Sequence, residues 1–201
     1  MISVMTQKRN PNLVLSHTAK DEKAWRENLK GDSSLLGTRP DWWWTGKPPQ
    51  HGICPGVQPD GTIYSLPLTD LSQCTRQDVL DYFDNTWTLT EVLFSALQGE
   101  KALYQSPYHQ LRHPLVFYYG HTAAVYINKL RVAGLLDAPI NEYFEQIFET
   151  GIDEMSWDDM SKNEMKWPTF KEVHDYRRIV YNLIKQIIET HSAFETLPIT
   201  Q

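Results

Sequence analysis

The chain has 201 residues, 41% of them hydrophobic and 22% charged, with a net charge of −6. That length suits one domain with its own core plus an appended segment, and no run nears the ~18 apolar residues that a membrane span needs. The acidic balance excludes a protein that tracks nucleic-acid phosphates, because Lys8-Arg9 and Arg177-Arg178 are its only, short, basic clusters.

The N-terminus lacks both a long apolar stretch behind a basic start and a small-residue cleavage site, so a cytoplasmic protein is expected. In that reducing compartment Cys54 and Cys74 are expected as free thiols. Residues 1–72 read as an irregular arm rich in Trp, Pro and Gly, with one short helix over 19–30 that Gly31 stops. Three adjacent indoles, Trp42, Trp43 and Trp44, are costly to leave in water, so the arm is expected to dock on the body of the protein.

From residue 73 to 201 the pattern is that of a helical bundle. Thr75 and Asp78 make a capping box, and Val79, Leu80, Phe83, Trp87, Thr90, Leu93, Phe94 and Leu97 follow at helical spacing up to Gly99. Pro114 suits the first turn of a second helix, which Gly134 ends. Asn141 caps a short element over 142–150, and Thr169 with Glu172 opens a last long helix with Val173, Tyr176, Val180, Leu183, Ile184 and Ile188 on one stripe. Between them, 151–168 is an acidic linker whose Asp153, Glu154, Asp158 and Asp159 read as a solvated turn. No strand-like alternation of useful length appears, so the fold class is all-α.

Among the histidines, His109 and His113 are four apart, but Pro114 pushes His113 out of the helical region and spoils a clamp. His174 and His191 on the last helix read as structural. His121 stands apart because its helix is apolar nearly all round: a ring buried there needs a hydrogen-bond or metal partner. The spacing alone leaves a satisfied core histidine and a metal ligand both open, since no nucleotide-loop, nucleophile-elbow or paired metal-ligand motif is present.

The segments 41-DWWWTGK-47, 75-TRQDVLDYFDNTWTLTEVLFSAL-97, 111-LRHPLVFYYGHTAAVYINKLRVAGLL-136, 143-YFEQIFETGIDEMSWDDM-160 and 167-WPTFKEVHDYR-177 closely resemble the N-terminal part of the 5-histidylcysteine sulfoxide synthases of ovothiol biosynthesis. The resemblance covers nearly the whole chain. It implies a DinB-like up-and-down helical bundle, which in that family leads into a formylglycine-generating-enzyme-like domain and often a methyltransferase. It also implies Fe(II) as cofactor, and cysteine and histidine as the substrates joined with O₂ to a sulfoxide. In the family iron is held by three histidines, one in a GHTAxxY motif and two in an HxxxHxE motif on the final bundle helix. Here 120-GHTAAVY-126 puts His121 at the first ligand position, and residues 1–201 hold no HxxxHxE.

The expectation is therefore a DinB-like bundle missing its last helix, inactive alone, with Fe(II) not held tightly by His121 and no further catalytic residue assignable. Its partner would be the missing C-terminal domain or a second copy covering the open groove. The competing expectation is a stand-alone helical interaction module that keeps the fold without catalysis. A DinB-like metal-dependent thiol transferase is disfavoured, because it too needs histidines on a later helix.

Overall fold

The computed structural model describes residues 39, 41–97, 99, 101–109, 112–149 and 166–196. The helix expected over 19–30 and residues 151–165 of the acidic linker expected over 151–168 lie outside the described residues. Among those described, five α-helices and two short 3₁₀ helices, Asp41–Trp43 and Ser192–Thr196, account for the regular structure, and the one β-feature is an isolated antiparallel bridge between Val57 and Ile63. No described helix is long and apolar enough to cross a membrane.

The helices begin where the caps place them. Helix α1, Arg76–Ser95, opens on Thr75, whose side chain accepts from the Asp78 amide while Asp78 returns a bond to the Thr75 amide. The same reciprocal box, Thr169 with Glu172, opens α5, Phe170–Thr190. Each such cap is worth about 1 kcal/mol, because it satisfies amides that a helix start otherwise strands. Helix α2, Lys101–Tyr104, is a single turn. Helix α3, Leu115–Val132, starts directly after Pro114, and Gly134, at a φ of 72°, takes the chain out of it. Helix α4, Glu142–Ile147, is capped by the Asn141 side chain and ends on Phe148, shorter than the sequence pattern suggested.

Helix α5 packs against both α1 and α3, and α4 packs on α3 with its Phe144 ring reaching Tyr176 of α5 at 5.4 Å. The core lies along these seams, with Val116, Phe117, Ala123, Ala124, Ile127, Val173 and Val180 fully buried. The stripe expected on α5 is buried apart from half-buried Leu183. On α1 it departs at one position: Leu93 is 73% exposed. In its place α1 buries a polar row, Asp84, Asn85, Thr88 and Glu91, none of which touches solvent.

The arm explains that row. Trp43 is 2% exposed and stacks on Phe170 at 5.3 Å, with the Arg39 guanidinium over its other neighbourhood at 4.7 Å. Trp44 packs at the edge of the core, while Trp42 stays 52% exposed. Docking therefore takes one indole fully, one in part, and leaves one mostly outside. Behind the tryptophans, the Thr45 amide donates to both Glu91 carboxylate oxygens and the Thr45 hydroxyl bonds Oε1. Lys47 Nζ pairs with Asp84 at 2.7 Å, and Thr88 donates to the Lys47 carbonyl. Asn85 spends its whole amide on the arm, donating to Pro55 and Tyr64 carbonyls and accepting from the Leu66 amide. Buried polar groups are tolerated only when so paired, and these fix where the arm lies. Gly46 sits at the closest approach: a Cβ there would come within 2.7 Å of the Trp87 ring and 2.9 Å of Tyr181.

Candidate metal-ligand site

Gly120 and His121 lie in the interior of α3, the most apolar of the three long helices. His121 is half-buried rather than enclosed, and its ring lies parallel to Phe117, one turn earlier, with centroids 5.5 Å apart. Its Nδ1 is 2.7 Å from the Phe148 carbonyl oxygen, at the end of α4. A carbonyl only accepts, so Nδ1 carries the proton and, in the neutral ring, Nε2 keeps its lone pair. A backbone carbonyl on the far nitrogen is how a metal-ligating imidazole is usually held in tautomer and orientation. The Tyr119 hydroxyl is bonded to His174 Nδ1 at 2.9 Å rather than to His121.

His121 lines a cleft of about 260 Å³ whose other walls are Thr86, Trp87 and Thr90 of α1, Val125 and Tyr126 of α3, and Arg177 of α5. The base of the cleft is charged but neutralised. Arg177 is fully buried, pairs with Glu91 at 3.6 Å, and donates from Nη1 to the Tyr119 carbonyl and the Thr122 hydroxyl. Its guanidinium also lies over the Trp87 and Tyr119 rings, at 4.5 and 4.3 Å. Burial pushes the Glu91 carboxyl up, against the opposing pull of Arg177 and the Thr45 donors. Among the described residues, larger hollows include one of about 420 Å³ beside Asp70, Cys74 and Asp78 and another of about 560 Å³ beside Leu97, Tyr108 and His113. In the first, Asp70 and Asp78 spend their carboxylates on local turn and cap bonds.

Among the described residues, the other histidines do not join His121. His113 precedes α3 in non-helical chain, as Pro114 dictates, and its buried ring lies tilted against Phe117 with centroids 4.1 Å apart. His191 caps the end of α5 and accepts from the Ala193 amide. His174 is the arm's latch: Nε2 donates to the Trp42 carbonyl at 2.9 Å, leaving Nδ1 to accept from Tyr119. Among the described residues no three His, Cys, Asp or Glu side chains converge as a metal ion needs. A three-imidazole iron centre is thus not built by the described residues, which offer one ligand-type imidazole. Cys54 and Cys74 are both free and buried.

The latch has a pH signature. Burial, and then the nearby Arg178 and Arg177, lower the His174 pKa, while the Trp42 carbonyl and Asp175 oppose. The unfolded imidazole titrates at about 6.5, so the folded chain binds fewer protons below that pH. The stability His174 contributes is present above about pH 6.5 and is lost as pH falls through its depressed folded value. Urea unfolding followed from neutral to mildly acidic pH should show that loss, and His174→Gln should remove this part of the slope.

The sequence missed the Glu91–Arg177 pair and the latch. Asp84, Thr88 and Glu91 recur at helical spacing on α1, and Arg177 and Tyr181 do so on α5. Polar stripes at that period read as solvated faces, so spacing does not mark them as a buried seam. In the fold they meet: Tyr181 donates to Asp84 at 2.7 Å. Comparison with known proteins adds no identification: a scan against family models and a search of curated proteins returned no match.

Proposed function

We propose that this chain is the DinB-like, ligand-contributing domain of a non-haem iron sulfoxide synthase that joins cysteine to histidine with O₂. His121 supplies one imidazole to the iron site, and an HxxxHxE segment outside residues 1–201 supplies the other two. The observation that carries the reading is the state of His121: its Nδ1 is committed to the Phe148 carbonyl, so Nε2 is the ring's lone-pair nitrogen on a residue that lines an interhelical cleft. The resemblance of 120-GHTAAVY-126 and its flanking segments to the family places the same residue at a ligand position. One neutral imidazole binds divalent metal weakly, whereas three with open positions suit O₂ chemistry at Fe(II), so these residues hold and orient one ligand of a larger site. The reading is tested by combining the chain with the HxxxHxE-bearing part of a family member and asking whether sulfoxide formation depends on His121.

A further inference from the structure

We propose that Gly120 is a positioning residue for His121, acting through Phe148. Gly120 lies inside α3 with ordinary helical backbone, so conformational freedom does not call for glycine there. Space does. A Cβ at this position would lie within 2.5 Å of three atoms of the Phe148 ring, Cε1, Cε2 and Cζ. That ring cannot step aside easily, because Phe148 has no exposed surface and is hemmed by Phe144 at 5.6 Å and by Phe117 and Trp167 at 6.4 Å.

The same residue whose ring lies on Gly120 offers its carbonyl to the next residue's imidazole. Phe148 is the C-cap of α4, where the last carbonyls of a helix have no partner within it, and the Nδ1–H of His121 fills that vacancy at 2.7 Å. In water the neutral imidazole of histidine carries its proton mainly on Nε2. The close seat of Phe148 on Gly120 reverses that preference and leaves Nε2 as the acceptor or ligand nitrogen. Alanine at 120 would push Phe148 and the end of α4 away from α3 and lengthen the bond to Nδ1. The tautomer concerns the folded chain alone; that Nε2 is put to use as a metal ligand rests on the function proposed above.

The test is ring ¹⁵N NMR of the metal-free chain with labelled histidine at mildly alkaline pH, His121 being assigned from the spectrum of His121→Gln. The expected wild-type signature is a pyrrole-like Nδ1 and a pyridine-like Nε2. In Gly120→Ala the two signals should exchange or average, and Gly120→Ala/Phe148→Leu, which lacks all three colliding ring atoms, should recover the wild-type pattern. A wild-type ring protonated on Nε2, or a Gly120→Ala chain that keeps the wild-type tautomer, overturns the proposal. If Gly120→Ala alone does not fold, a folded double variant with the wild-type tautomer upholds it, and a double variant that stays unfolded or carries its proton on Nε2 overturns it. Sulfoxide formation is not read here, so failure of this device and failure of the functional reading remain separate results.

Discussion

Arg177→Ala should lower the unfolding free energy by about 3–5 kcal/mol, the cost of stranding one member of a buried ion pair. Neither Arg177 nor Glu91 has exposed side-chain surface, and they sit 3.6 Å apart. Without the guanidinium, Glu91 keeps the Thr45 donors and the Gly46 amide but no cation, the Tyr119 carbonyl and the Thr122 hydroxyl lose their donor, and two aromatic faces lose a cation. The pair is a poor source of net stability, since bringing both charges out of water offsets most of their attraction. Replacing both by leucine should accordingly cost much less than Arg177→Ala. Urea denaturation separates the cases: a fall in midpoint without a change in slope reports lost stability. A single-variant loss below about 1 kcal/mol would show that Glu91 finds water or another partner, contrary to its burial.

Trp43→Ala should cost about 3–5 kcal/mol, as a large aromatic removed from a closed core does. It should also release the arm. The indole is the arm's one fully buried side chain among the three tryptophans, layered against Phe170, Tyr119 and His174. Limited proteolysis should spare residues 40–47 in the wild type and cut there in the variant under conditions that leave α1, α3 and α5 intact. Trp42→Ala is the contrasting case, since that indole is 52% exposed and meets His174 only edge-on at 6.0 Å, while the hydrogen bonds from His174 and Arg178 go to its backbone carbonyl. Equal losses from the two substitutions would contradict the docking described.

The helix starts were legible because capping is local: Thr75 with Asp78, Asn141, and Thr169 with Glu172 each announce themselves within four residues. The α5 stripe was legible for the same reason. What could not be read was the second partner of α1. Asp84, Asn85, Thr88 and Glu91 look like a solvated face until an arm from 19 to 46 residues upstream lies across them, and nothing in helical period reports that contact. Leu93, counted into the apolar stripe by spacing, is instead exposed. At His121 the sequence marked the residue but not its state. The proton on Nδ1 follows from a carbonyl 27 positions away, set by the close fit of a phenylalanine on a glycine.

The central claim, that His121 is one ligand of an iron site completed from outside residues 1–201, is tested most directly by reconstitution. The chain is combined with the HxxxHxE-bearing part of a family member and given Fe(II), O₂, cysteine and histidine, and the sulfoxide is measured by mass spectrometry. The account predicts product from the wild-type chain and a loss of more than about a hundredfold with His121→Ala, beyond what removing an outer-sphere partner costs. The substitution should leave the helical spectrum unchanged, and His191→Ala, at the end of α5 away from the cleft, should leave product formation unchanged. Equal product from wild type and His121→Ala, or no product from any combination in which the two parts bind each other, would contradict it.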